Sequence, residues 1–89
     1  MRLDEDVKDE LGKRLRRIEG QVRGIQNMLA EDRECRDIVT QLSAATKALE
    51  KVGFRMLASG LASCLEDPEK SAAEGYPIDE VERLFLKLT

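Results

Sequence analysis

The chain has 89 residues, of which 37% are charged and only 3% aromatic, and its formal net charge is −3. So short a chain allows one domain, placed over residues 1–89, and it buries little core by itself, so we expect an oligomer. No apolar run approaches the ~20 residues that a membrane span needs, and the acidic N-terminal stretch is unlike a signal peptide. We therefore expect a cytoplasmic protein, in which a purely structural disulfide is not favoured.

The first predicted helix runs from about residue 5 to residue 30. Its apolar residues recur at alternating spacings of four and three, which is a heptad seam. They are Leu11, Leu15, Ile18, Val22, Ile25 and Leu29. The opposite half of the helical wheel carries the positive charges Lys13, Arg14, Arg16, Arg17 and Arg23. With Glu19 as the only acid, residues 12–24 have a local charge of +4 in an acidic protein.

This basic half indicates an anion-binding surface, although a merely solvated charged face is the ordinary alternative. Nucleic acid is the natural polyanion, and the chain lacks the aromatic residues on which single strands stack. We therefore expect duplex DNA, contacted through phosphates and groove shape. Gly20 and Gly24 lie on the basic side, where a missing side chain would let a phosphate backbone come close.

The second predicted helix begins near Glu34 or Cys35 and ends at Asp67, because the residue before a proline disfavours helix. Its heptad seam consists of Cys35, Ile38, Leu42, Ala45, Leu49, Val52 and Met56. A second apolar row widens the stripe: Val39, Leu57, Leu61 and Leu65. Residues 69–77, EKSAAEGYP, are predicted to be a polar loop. A third helix then has Pro77 in its first turn, so the fold class is all-α with three helices.

Two cysteines, Cys35 and Cys64, lie on one face of the second helix at its opposite ends, if that helix is continuous. At the ~1.5 Å rise per residue of an α-helix, the 29 steps between them span about 43 Å. An antiparallel homodimer that crosses near Leu49 and Glu50 would bring Cys35 of one chain to Cys64 of the other, twice. The alternative is that both thiols are small apolar core residues. That alternative suits Cys35 less well, because exposed N–H groups at a helix start favour a thiolate.

Three segments resemble the CsoR family of small all-α bacterial repressors: RRIEGQVRGIQNML, CRDIVTQLSAATKALEKVG and LASCL. The resemblance covers nearly the whole chain. It implies three helices per chain, an antiparallel four-helix-bundle dimer and a dimer of dimers, which is a homotetramer. It also implies a transcriptional repressor, not an enzyme, that binds double-stranded operator DNA through Arg14, Arg17 and their basic neighbours.

The resemblance also bears on what the protein senses. Copper-sensing members add a His four residues before the second Cys, where this chain has Gly60, and nickel and cobalt sensors need several His ligands. Formaldehyde-sensing members have a Pro after the initiator Met, where this chain has Arg2. The chain contains no His at all, which leaves the persulfide-sensing branch, CstR.

The CstR branch implies a mechanism without metal or cofactor. Cys35 would attack a persulfide or polysulfide, and Cys64 of the partner chain would resolve the product into a di- or polysulfide bridge between protomers. The bridge would release the operator and derepress genes of sulfide detoxification and sulfur transfer. Three alternatives stay open: a repressor that binds Cu(I) through Cys35 and Cys64, a small enzyme or carrier of sulfane sulfur, and a helical bundle with inert cysteines.

Overall fold

The fold is entirely helical in a computed structural model that describes residues 2–89, so only the first residue of the predicted domain lies outside it. Four α-helices follow one another: α1 at Glu5–Ala30, α2 at Cys35–Glu66, α3 at Pro68–Ala73 and α4 at Ile78–Lys87. No strand occurs over residues 2–89. The predicted all-α class is confirmed, and the two long helices begin and end within a residue of their predicted bounds.

The helices α1 and α2 form an antiparallel hairpin joined by a four-residue connection, residues 31–34. Asp32 there adopts a positive φ of 54°, which Asp tolerates better than most residues, and it turns the chain back on itself. The N-terminal half of α1 then packs against the middle of α2, with Val7, Leu11 and Ile18 around Val52.

The heptad seams divide into a buried row and an exposed row, each with seven-residue spacing. The buried row, which joins α1 to α2, includes Leu11, Ile18, Ile25, Ala45 and Val52. The exposed row consists of Leu15, Val22, Leu29, Leu42 and Leu49, with 40 to 61% of each residue accessible. One protomer therefore buries only one of the two apolar rows of its heptad seams, and the other row stays exposed.

The segment predicted as a polar loop contains most of the short helix α3, so that prediction was wrong, and residues 2–89 contain four helices instead of three. Asp67 is the N-cap of α3, and its side chain accepts a hydrogen bond from the Lys70 N–H at 3.2 Å. Pro68 occupies the first turn, where its fixed φ suits a helix and its missing N–H costs nothing. The Asp-Pro pair that ends α2 therefore also begins α3.

The last helix, α4, covers the C-terminal half of α2. Val81 is its most buried residue, and the rings of Phe54 and Phe85 lie 6.2 Å apart between centroids. Pro77 is the N-cap of α4, one residue before its first turn. Within residues 2–89, none of the helices has the length and apolar character to cross a bilayer.

Candidate thiol sensor and DNA-binding surface

The two thiols lie at the opposite ends of one uninterrupted helix, α2. The continuous helix that the sequence argument required is therefore present, and it separates Cys35 from Cys64 by about 43 Å. Both cysteines are free. Within one protomer the two sulfur atoms cannot react with each other or share a ligand.

Cys35 is exposed and is the first residue of α2. Its N-cap, Glu34, makes no side-chain cap hydrogen bond. The N–H groups of the first turn of α2 are therefore not capped by the Glu34 carboxylate, and their positive ends face the start of the helix, where Cys35 lies. Cys35 also continues the exposed row of α2, because it lies seven residues before Leu42, which in turn lies seven residues before Leu49. A second protomer packed on that row would therefore lie beside this thiol.

Cys64 is in the opposite situation, with only 2% of the residue exposed. Its Sγ lies 3.8 Å from the carbonyl oxygen of Tyr76, to which the thiol can donate a hydrogen bond. The hydroxyl of Ser71 donates to the same oxygen at 2.7 Å. Sequence analysis missed Ser71 and Tyr76, because both lie in the segment predicted to be a loop.

Gly60, which stands where copper-sensing relatives are expected to carry a His, is buried on α2 one turn before Cys64. Within residues 2–89, no group of three or more His, Cys, Asp or Glu side chains could hold a metal ion in a single protomer. Thiolates are good ligands for Cu(I). The two cysteines of the chain, Cys35 and Cys64, are its thiolate donors, and they lie at opposite ends of α2.

Two of the five predicted basic residues of α1, Arg14 and Arg17, border a groove that also involves α2. Its walls are formed by Arg14, Arg17, Ile18, Gln21, Ala44, Lys47, Ala48 and Lys51. Four of these residues are cations and none is an acid. Lys47 and Lys51 were missed by the sequence analysis, although their four-residue spacing places both on one face of a helix.

The charges on this surface differ in how far acids neutralise them. Arg14 lies 3.7 Å from Glu10, and Arg23 lies 3.9 Å from Glu19. In the part of the chain that the structure describes, the remaining cations of the predicted set, Lys13, Arg16 and Arg17, form no ion pair. Exposed pairs are worth little, so all five positive charges remain usable by a polyanion.

The glycines on the basic side face open space. A Cβ built on Gly20 or on Gly24 would meet nothing within 4 Å. The packing of the protomer therefore gives no reason for glycine at either position, and each lowers helix stability by about 1 kcal/mol relative to Ala. Close approach of an external backbone, as the sequence analysis expected, remains a prediction for these two positions.

Comparison with known proteins gives one matching family model and two similar relatives. A family model described as "metal-sensitive transcriptional repressor" matches residues 7–87. The copper-sensing transcriptional repressor CsoR of Bacillus subtilis is 44% identical over 82 residues, which cover 92% of this chain and 81% of the relative. The copper-sensing transcriptional repressor RicR of Mycobacterium tuberculosis is 49% identical over 70 residues, 79% of this chain and 70% of the relative.

Proposed function

The chain belongs to the family of metal-sensitive transcriptional repressors, which are not enzymes, and from this premise we propose that it occupies double-stranded operator DNA until its thiols react. The inducer we propose is a persulfide or polysulfide, and Cu(I) is the second candidate. The single observation that favours sulfane sulfur is the chain's lack of any His, with Gly60 buried beside Cys64.

The assembly proposed is an antiparallel dimer, paired further into a tetramer. It is supported by the exposed row, because an apolar stripe with up to 61% exposure at Leu29 would be covered by the same stripe of a second chain. Antiparallel pairing about the middle of α2, near Leu49, makes the N-terminal end of one α2 adjacent to the C-terminal end of the other. Cys35 of one chain would then lie next to the place where Cys64 of the other chain is buried. The two-fold axis would create two such pairs.

The DNA contact proposed is the groove between α1 and α2 together with the exposed cations of α1. Arg14 and Arg17 belong to both, and Lys47 and Lys51 extend the surface onto α2. Guanidinium groups bind phosphate oxygens in a bidentate manner, and lysines act as point charges. Neutralising several phosphates releases counterions, so the affinity should fall steeply with salt.

The chemistry proposed for sulfane sulfur uses the two thiols in turn. The Cys35 thiolate attacks the outer sulfur of an organic persulfide, RS–SH, forming Cys35–S–SH and expelling RS⁻. The Cys64 thiolate of the partner chain then attacks the Sγ of Cys35–S–SH, forming a disulfide and expelling HS⁻. The two thiols are oxidised and the sulfane sulfur is reduced to sulfide, so no other oxidant is needed.

A longer bridge needs a second molecule of donor. The Cys35 persulfide attacks another RS–SH, forming Cys35–S–S–SH and again expelling RS⁻. Attack by the Cys64 thiolate on the middle sulfur then expels HS⁻ and leaves a trisulfide. The exposure of Cys35 and the burial of Cys64 support the order of attack proposed here.

Release follows if the bridged dimer and the DNA-bound dimer differ in shape. A covalent link between the ends of two α2 helices fixes their crossing, and the basic grooves lie on those same helices. The inducer can weaken DNA binding only by the free-energy difference that the link creates between the two shapes.

The second candidate inducer, Cu(I), is favoured by the comparisons, because both relatives are named copper-sensing repressors. Cys35 and the partner's Cys64 would hold the ion as thiolates, and the ion would link the two chains in place of the sulfur bridge. The names describe the relatives, whereas the missing imidazole is a property of this chain. For this reason we place sulfane sulfur first.

A DNA-release experiment separates the two inducers. Labelled operator DNA is bound by the tetramer, and release is followed by fluorescence anisotropy after adding an organic persulfide or Cu(I). We expect the persulfide to release DNA, a phosphine reductant to restore binding and a Cu(I) chelator to have no effect. Release by Cu(I) alone, reversed by the chelator, would contradict the sulfane-sulfur proposal, and DNA binding that neither agent changes would contradict both.

A further inference from the structure

The carbonyl oxygen of Tyr76 accepts two hydrogen bonds, one from each of two buried side chains. Ser71 Oγ donates at 2.7 Å, and Cys64 Sγ lies at 3.8 Å, within reach of a weak thiol donor. The Tyr76 N–H in turn donates to the Ser71 carbonyl at 2.9 Å, so both backbone polar groups of Tyr76 are hydrogen-bonded to Ser71. Ser71 is 9% exposed and is the only buried polar residue among residues 2–89.

We propose that Ser71 and the Tyr76 carbonyl form a latch, a pair of hydrogen bonds on one oxygen that keeps the Cys64 thiol buried, and that loss of the S–H donor opens the latch and frees the start of α4. Ser71 is thus a positioning residue for the thiol, and the Tyr76 carbonyl senses the state of the sulfur. The inference rests on the proposed function in that Cys64 is taken to be a sensing thiol.

The latch opens when Cys64 loses its hydrogen, because the Tyr76 oxygen can act only as an acceptor. A backbone carbonyl oxygen can only accept, and a protonated thiol can donate to it. A thiolate, a bridged sulfur or a metal-bound thiolate has no hydrogen to donate, and its lone pairs would face the oxygen. The Tyr76 oxygen then keeps the Ser71 hydroxyl as a donor but loses one of its two hydrogen bonds and faces the lone pairs of the sulfur, so each of these states weakens the hold on Tyr76.

The position of the latch links the sulfur to α4. Tyr76 lies between the end of α3 at Ala73 and the start of α4 at Ile78. Gly75 before it has a φ of +93°, a conformation that glycine adopts freely, so the turn can deliver the carbonyl to the buried sulfur. Two residues beyond Tyr76, α4 begins its packing on α2.

Burial supplies a second reason for an opening step. A thiol that is 2% exposed offers no path to a sulfur of another chain. The residues that close it belong to its own protomer, and Tyr76 is the one in hydrogen-bonding contact. For Cys64 to react with the partner's Cys35, the Tyr76 turn has to move, and the same movement shifts the N-terminal end of α4.

The first test measures the reactivity of Cys64 alone, in a Cys35→Ser protein that keeps the full chain and assembly. The rate of modification by iodoacetamide is followed by intact mass. We expect Ser71→Ala to raise the rate several-fold, Ser71→Thr to restore the parent rate because it keeps the hydroxyl, and Ser43→Ala, at an exposed position of α2, to leave it unchanged. An unchanged rate in Ser71→Ala would overturn the proposal, and so would a Thr variant as fast as the Ala variant.

The second test leaves Ser71 intact and changes only the donor at position 64. Cys64→Ser keeps a hydrogen-bond donor and Cys64→Ala removes it. Amide hydrogen exchange at Tyr76 and in the first turn of α4 should be several-fold faster in Cys64→Ala than in Cys64→Ser. Equal exchange in the two variants would overturn the latch even if Ser71→Ala had failed to fold.

Neither test involves DNA or an inducer, so the latch and the proposed function can fail separately. Suppose both tests give the expected results, but neither a persulfide nor Cu(I) releases the protein from DNA. That outcome would contradict only the proposed function. Normal release by inducer with unchanged Cys64 reactivity in Ser71→Ala would contradict only the latch.

Discussion

The side chain of Leu88 lies directly over Gly53, so that a Cβ built on Gly53 would be 2.8 Å from Leu88 Cδ1 and 2.9 Å from Leu88 Cδ2. Leu88 caps the C-terminal end of α4, and Gly53 lies in the middle of α2. The position of the Leu88 side chain therefore depends on the absence of a side chain at Gly53. This contact and the Tyr76 turn anchor α4 at its two ends.

Two glycine variants test that dependence. Replacing Gly by Ala inside a helix stabilises it by about 1 kcal/mol where there is room for the methyl group. Gly20→Ala should approach this gain, because open space surrounds the position. Gly53→Ala should gain clearly less or lose stability, since both methyls of Leu88 must move. Denaturant unfolding at equal protein concentration measures the free energy of unfolding of both variants. Equal gains would contradict the prediction, because they would mean that the Leu88 side chain moves away from position 53 at no cost.

Removing two guanidinium groups from the groove tests the DNA-binding surface. We expect Arg14→Ala with Arg17→Ala to abolish operator binding and to leave the oligomer intact, because Arg17 is exposed and Arg14 is partly exposed, with an ion pair only to Glu10. Anisotropy titration measures the affinity, and size-exclusion chromatography measures the assembly. The matched control, Arg83→Ala with Lys87→Ala on α4, removes the same charge and should keep the affinity. Unchanged binding by the α1 variant would contradict the assignment of this surface.

The lysines of α2 test whether the groove, rather than α1 alone, meets the phosphates. The slope of log K against log salt changes by about 0.9 for each phosphate contact removed. The double variant Lys47→Ala with Lys51→Ala should weaken binding and make that slope shallower by about 0.9 for each of the two lysines. A weaker affinity with an unchanged salt slope would mean that the lysines act through structure and do not contact phosphates.

A charge in the exposed row tests the dimer. Leu49 is 49% exposed in the protomer, and we expect Leu49→Glu to bury a carboxylate at the crossing of two α2 helices. The variant should run as a 10.0 kDa monomer with reduced helical content at micromolar concentration. Gln41→Glu adds the same charge at an exposed neighbouring position and should stay oligomeric. A Leu49→Glu variant with the parent's mass would contradict the antiparallel interface.

Cysteine variants separate repression from release. Cys64→Ser should bind the operator with an affinity within about twofold of the parent (about 0.4 kcal/mol) and should no longer be released by persulfide, because no second sulfur can resolve the Cys35 persulfide. The measurement is the same anisotropy assay with inducer added. Release that persists in Cys64→Ser would contradict the pairing of the two thiols.

The heptad periodicity predicted most of the fold, because apolar residues at spacings of three and four specify a helix and its buried side together. It could not predict which half of the seam stays inside the protomer, since Leu11 and Leu15 have the same residue type and differ only in their neighbours. The short helix α3 was missed because Asp67-Pro68 was interpreted as a helix end, although an Asp N-cap followed by Pro is also a helix start.

The site was predictable to the extent that it depends on helix geometry. The placement of Cys35 and Cys64 at the two ends of α2 follows from counting residues. The hydrogen-bonding contact of Cys64 does not, because its partner is Tyr76, twelve residues further along a segment without periodicity. The basic residues of α1 stood out as a run, whereas Lys47 and Lys51 are two separate lysines either side of Glu50 and join the surface only when α2 packs beside α1.

The intact mass under non-reducing, denaturing conditions, after treatment with an organic persulfide beside peroxide and Cu(I) controls, tests the central claim most directly. We predict a covalent dimer that forms with the persulfide, carries additional whole sulfur atoms when donor is in excess, and returns to monomer with reductant. Bridges absent from Cys35→Ser and Cys64→Ser would assign both sulfurs. Monomer of unchanged mass after persulfide treatment, with tight Cu(I) binding in a native spectrum, would contradict the sulfane-sulfur mechanism and favour copper.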